Sequence, residues 1–245
     1  IINVGGKKVS PYQVEDVLNR CEFVRESACI SLFDKNMGEV VQAFIVLSTN
    51  INVDFESIVT HNMSDTIHDL SDQTDCDWLV VGWDGRARTG ILINNPIGWL
   101  MTNINSNFAL FKDNGVRYIS KVLIALRPGR NDKNFIEVAD RIGAFYGASF
   151  TLLRVVSETI EDEELQAISE SSNELLKDSK SESKVTIIKS NDSIEAISNA
   201  SASYDLLILG TPQQDNWISV LFGTGKDKFT EKSACSVLRL TIKDN

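Results

Sequence analysis

The sequence predicts an α/β fold built on a parallel sheet, with a small α+β segment ahead of it. Three observations carry that expectation. Strand and helix patterns alternate through the C-terminal half, the strand patterns there are continuous apolar runs, and one strand-helix-strand pattern occurs twice. Runs such as Val122-Leu123-Ile124-Ala125-Leu126 and Leu206-Leu207-Ile208-Leu209 have no polar residue to turn toward water. That is how strands covered on both faces read, and both-face burial accompanies parallel sheets whose crossovers are helices.

The segment from Ile1 to Ser48 reads as strand, helix, strand, strand. Gly5-Gly6 is a turn signal, and Ser10-Pro11-Tyr12-Gln13 follows as a helix start. Ser stands where an N-cap belongs, Pro at the first helical position, and Gln three residues after the cap. Val14, Val17, Leu18 and Cys21 would form the apolar face of that helix. Two apolar runs, Ser27 to Phe33 and Val40 to Leu47, are joined by the polar stretch Asp34 to Gly38, a connection of hairpin length.

The internal repeat organises the rest. In its first copy Phe55 to Val59 leads through Thr60-His61-Asn62 into a helix with Ile67 and Leu70, then Asp77-Trp78-Leu79-Val80-Val81-Gly82. In the second, Val185 to Ile188 leads through Ser190-Asn191-Asp192 into a helix with Ile194 and Ile197, then Asp205-Leu206-Leu207-Ile208-Leu209-Gly210. Only the second copy is preceded by a further unit, with strand Val122 to Leu126, amphipathic helix Asn134 to Tyr146 and strand Phe150 to Val156. The serine-rich acidic stretch Ser157 to Ser183 carries Leu165, Ile168, Leu175 and Leu176 near helical spacing and reads as a solvated surface helix. The expected domains are therefore 1–50, a small α+β segment; 51–115, a truncated module; and 116–245, a complete one.

Charge and composition remove several function classes. A formal net charge of -10 opposes phosphate backbones and anionic lipid surfaces. Lys7, Lys8, Arg86, Arg88, Arg127 and Arg130 fall in small groups without interleaved aromatics, so no nucleic-acid partner is expected. Cys21, Cys29, Cys76 and Cys235 have no CxxC spacing and the histidines are His61 and His68, so no zinc motif forms. The apolar neighbours of the cysteines suit small buried side chains in a reducing, cytoplasmic setting. No apolar stretch is long enough for a membrane helix, so no direct membrane insertion is expected. The start Ile1-Ile2-Asn3 lacks signal-peptide order and an initiator methionine, which suggests a processed product, a fragment or an excised piece.

Candidate site residues cluster at the ends of the repeated strands. Gly210 closes one, and Gly223-Thr224 stands before a helical stretch, Lys226 to Lys232. Such glycines let backbone amides approach a ligand, and a Gly-Thr pair at a helix start offers N–H groups and a hydroxyl to a phosphate. A plain structural turn accounts for the same glycines, and both readings stand. His61, His68 and the many carboxylates fall into no catalytic arrangement with a nucleophile or a shared cleft, so no enzyme activity is expected.

The spacing of Gly210, Gly223 and Thr224 resembles the nucleotide signature of the universal stress protein family, Gly-x2-Gly-x9-Gly-Ser/Thr, with Gln213 at the middle glycine. The first copy keeps Gly82 and Gly85 but has Asn95-Pro96 at the Gly-Ser/Thr position. Over about Asp54 to Leu240 the resemblance implies a parallel α/β module that binds an adenine nucleotide, ATP or AMP. Nucleotide-binding members of that family carry an Asp after the first strand, where this chain has Arg127, either a phosphate contact or an exposed strand end. The turn Gly82-Trp83-Asp84-Gly85-Arg86 and the tandem copies look like the cytoplasmic tails of amino-acid permeases. This implies a regulatory role, a parent transporter, and pairing as a homodimer or an intramolecular pseudo-dimer.

The motifs Ile2 to Pro11, Val14 to Leu18 and Gly38 to Phe44 resemble instead the C-terminal domain of adenylate-forming acyl-CoA ligases. There Gly5, Gly6 and Lys7 would lie near the pantetheine path. The phosphate loop, the adenylate-binding core and the closing Pro-x4-Gly-Lys motif of that family do not occur here. The chain thus reads as a composite, by natural fusion or artificial splice, and the alternative function is a detached part of such a ligase.

Overall fold

A computed structural model of the chain describes residues 1–4, 7–20, 24–35, 38–47, 58, 60, 62–82, 96–211 and 228–243. It forms two compact units, Ile1–His61 and Asn62–Asn245. The stretches 51–115 and 116–245, expected as separate modules, both contribute strands to the second unit's sheet.

The first unit is a four-stranded antiparallel sheet with one helix. Strands β1 (Ile2–Val4) and β2 (Lys7–Val9) precede helix α1 (Pro11–Asn19), and the long strands β3 (Val24–Asp34) and β4 (Gly38–Leu47) follow, in the order β2-β1-β4-β3. The expected single first strand is thus a pair, with Ile2 opposite Val9; the Gly5-Gly6 turn lies outside the described residues. Pro11 opens α1 as expected, but Ser10 makes no side-chain cap. Its carbonyl instead accepts the Gln13 and Val14 N–H groups at 3.1 and 3.3 Å. Val14 and Leu18 are half-buried while Val17 is exposed. α1 is fixed to β3 by polar bonds: Glu15 Oε1 accepts the Cys29 N–H at 2.7 Å, and Ser27 Oγ donates to Asn19 Oδ1 at 2.8 Å.

The second unit starts with α2 (Met63–Thr74), β5 (Trp78–Gly82), α3 (Pro96–Asn103) and β6 (Asn107–Lys112). It continues through β7 (Lys121–Ala125), α4 (Asp132–Tyr146), β8 (Ser149–Val156), α5 (Asp162–Leu176) and β9 (Ser183–Lys189). α6 (Ser193–Ser201), β10 (Leu206–Gly210), the short α7 (Lys228–Lys232) and β11 (Ser236–Thr241) complete it. The strand expected over 55–59 falls almost wholly outside the described residues.

The sheet order is β5-β6-β11-β10-β7-β8-β9. Every neighbouring pair is parallel except β6 and β11, where Leu110 faces Arg239 across an antiparallel seam. The chain steps outward from β7 through β8 to β9, then returns to lay β10 on the other side of β7. Strand order therefore reverses between β7 and β10.

The alternation of side chains along each strand explains the continuous apolar runs. Val122, Ile124 and Ile208 point to one face, packed with Phe135, Ile136 and Ala139 of α4 and Leu176 of α5. Leu123, Ala125, Leu207 and Leu209 point to the other, against Ile197 of α6 and Cys235. Under β5 and β6 a third cluster joins Leu79 and Val81 to Leu100, Met101 and Ile104 of α3 and its exit. Asn62 and Asp192 are the N-caps of α2 and α6. Asp192 Oδ1 accepts the Ile194 and Glu195 N–H groups at 3.0 and 2.9 Å, filling two of the donors a helix start leaves open.

Candidate functional site

A cavity of about 440 Å³ opens in the second unit at the C-terminal ends of the parallel strands. Its walls come from the end of β7 (Ala125, Leu126, Arg127), the end of β10 (Leu209, Gly210, Thr211) and the start of α4. It therefore sits where strand order reverses. At such a point the loops leaving two adjacent strands diverge to opposite faces and leave a crevice between them. Ser193 at the start of α6 and Arg239 and Thr241 on β11 add further polar groups, while Phe135, Val155, Ile197 and Phe229 supply apolar walls.

The fold brings two of the expected residues together. Arg127 and Gly210 both line the cavity. Gly82 ends β5, and β6 and β11 separate that strand from β10. Gly85, Gly223 and Thr224 lie outside the described residues. The two strand-end glycines also differ in surroundings. A Cβ on Gly210 would meet Phe135 Cζ at 3.0 Å and Leu126 Cδ2 at 3.4 Å, whereas one on Gly82 would meet nothing within 4 Å among the described residues. At Gly210 the missing side chain is thus used first by packing against α4.

Charge in the cavity comes chiefly from arginine. Arg127 and Arg130 are exposed at the rim, and Arg239 is 6% exposed at the β11 wall, where Nη1 donates to the Gly210 carbonyl at 3.1 Å. Among the described lining residues the one acidic group is Asp132, which opens α4 and pairs with the buried Arg154. Their side chains are 10% and 2% exposed, and Arg154 Nη2 donates to Asp132 Oδ2 at 2.6 Å. Arg154 also donates through Nη1 to the Leu126 carbonyl at 3.2 Å and through Nε to Ser172 Oγ at 3.1 Å. A buried guanidinium with all three arms engaged tolerates desolvation, whereas removing one partner of such a pair typically costs about 3–5 kcal/mol.

Arg154, Arg239 and Asp132 were not among the residues expected from the sequence. The signal was present for the two arginines: each breaks an apolar strand run, Leu152-Leu153-Arg154-Val155 and Val237-Leu238-Arg239-Leu240. A charge at a position patterned for burial marks a paired or functional group. Among the described residues no group of three or more His, Cys, Asp or Glu could hold a metal ion, and no helix is long and apolar enough to cross a membrane.

The seven-stranded unit has the α/β fold of universal stress proteins. A universal stress protein from Archaeoglobus fulgidus DSM 4304 superposes with a TM-score of 0.55 at 16% identity, over 74% of this chain and 66% of that one. A Pseudomonas aeruginosa PAO1 protein of unknown function gives 0.51 at 13% identity, over 74% and 68%. At these identities the likeness is one of fold. No protein-family model matches the chain. In sequence, 48 residues are 48% identical to the mitochondrial acyl-coenzyme A synthetase ACSM1 of Mus musculus, a match spanning 20% of this chain and 8% of that enzyme.

Proposed function

We propose that the chain is a non-enzymatic regulatory module of the universal stress protein type that binds an adenine nucleotide, AMP or ATP, in the cavity between β7 and β10. The observation that carries this reading is the cavity's position at the strand-order reversal, where open α/β sheets take their ligands. Its size of about 440 Å³ suits a small ligand. Arg127, Arg130 and Arg239 in the lining favour an anion although the chain as a whole carries -10. Thr224 and Gly223 are proposed as the phosphate side of the site on the strength of their spacing from Gly210. A cytoplasmic setting as the tail of a transporter belongs to the same proposal and rests on the likeness of the Gly82 to Arg86 turn and the repeat to such tails.

The alternative reading, a detached part of an acyl-CoA ligase, is favoured by the 48-residue match to the mouse synthetase. Isothermal titration of the full chain with ATP, AMP and CoA separates the two. Binding of AMP or ATP that Thr224→Ala weakens supports the first. Heat with CoA alone, lost in Gly5→Val, supports the second and overturns the first.

A further inference from the structure

Arg154 does not line the cavity, yet it holds both ends of the loop that does. The loop runs from Arg127 to Asn131, between the end of β7 and the start of α4. Nη1 of Arg154 binds the carbonyl of Leu126, just before the loop, and Nη2 binds Oδ2 of Asp132, just after it. The third arm, Nε to Ser172 Oγ, anchors the guanidinium to α5 and fixes its rotation. The Gly129 carbonyl accepts the Asp132 N–H at 3.3 Å, and the Asn131 carbonyl accepts the Asn134 and Phe135 N–H groups at 3.0 and 3.2 Å. These three bonds all serve the start of α4. One rigid, planar fork thus bridges the two ends of the segment that carries the rim arginines, Arg127 and Arg130.

We infer that Arg154 is a positioning residue for anion recognition: its fork sets the gap between Leu126 and Asp132 and so aims Arg127 and Arg130 at the ligand's phosphate. This rests on the proposed nucleotide reading. A lysine at 154 keeps the buried positive charge but is a single point donor, unable to hold both loop ends at fixed separation.

The test compares AMP with adenosine, by titration on the full chain, for the wild type, Arg154→Lys and Ser172→Ala. Positioning of the phosphate-facing arginines predicts that Arg154→Lys weakens AMP by about tenfold, the scale of one lost bond to a charged group, and leaves adenosine within about twofold. Ser172→Ala, which removes only the anchoring arm, should weaken AMP by a smaller factor in the same selective way, and it carries the test if the lysine variant does not fold. Faster hydrogen exchange confined to residues 127–132 in the ligand-free variants would agree. Equal losses for AMP and adenosine, or none for either, overturn the positioning role alone. A wild type that binds neither ligand overturns the nucleotide reading, and the positioning role falls with it.

Discussion

Val80 of β5 and Ile208 of β10 hold matching places in two strands of similar sequence pattern, yet Val80 is 60% exposed and Ile208 is fully buried. Each is the third residue of an apolar run between an aspartate, Asp77 or Asp205, and a glycine. Ile208 packs in the cluster formed with α4. The unit that supplies α4 to the second copy has no counterpart in the sequence of the first.

The pair should separate cleanly in stability. Ile208→Ala is expected to cost about 2–5 kcal/mol by cavity formation, and Val80→Ala less than about 0.5 kcal/mol. All four tryptophans, Trp78, Trp83, Trp99 and Trp217, fall in the second unit. Urea unfolding followed by tryptophan fluorescence therefore reads that unit in the intact chain.

The two helix starts give a second contrast. Asp192 caps α6 through two N–H bonds, so Asp192→Ala should cost about 1 kcal/mol and lower the thermal midpoint. Ser10 stands at the start of α1 with no side-chain bond, and Ser10→Ala should leave helix melting unchanged. Far-UV circular dichroism on heating measures both.

Asp140 predicts an acid limb. Burial pushes its carboxyl up, but N–H groups of Lys180 and Ser181, at 2.8–3.1 Å, and the Ser181 side chain outweigh that and hold it below the usual aspartate range. A carboxyl depressed in the folded state adds stability that is complete above its unfolded value and is lost as pH falls through the folded one. Asp140→Asn should lower the urea midpoint at pH 7 and flatten its decline below about pH 4.

Thiol labelling provides a fourth measurement. Burial pushes the Cys235 thiol up, while Cys76 is half-buried, with Ser71 Oγ at 3.3 Å from its sulfur. In the native chain iodoacetamide should modify Cys76 at least about tenfold faster than Cys235, since the thiolate is the reactive form. Site-resolved mass spectrometry over time reads the order, and equal rates would contradict the packing around Cys235.

Much of the sheet was legible in the sequence because strands buried on both faces read as apolar runs: Val122 to Ala125 of β7 and Leu206 to Leu209 of β10 are unbroken, β8 is a run that Arg154 interrupts, and the edge strand β9 was read from the repeated pattern around Val185 to Ile188. The strand β6 and helix α3 were not read. Phe108-Ala109-Leu110 is a short run with no repeat partner to flag it, and its antiparallel pairing with Leu238-Arg239-Leu240 joins residues too far apart for periodicity to connect. At the site, Gly210 and Arg127 were legible as strand-end residues. Asp132 was not, because nothing local distinguishes it from the surface carboxylates: its role comes from Arg154, on the next strand. The absent Ser10 cap shows the reverse case, a sound local signal at a helix start whose donors are met by the backbone instead.

The antiparallel seam between β6 and β11 joins two stretches of the sheet within a single polypeptide. Dilution cannot part them, so this junction adds no protein-concentration dependence of its own to the melting of the unit. The linkage also frees each stretch to diverge, since a change in one is not copied into the other as it would be in a symmetric assembly. The crevice between β7 and β10 thereby keeps β6 and β5 as a permanent structural flank.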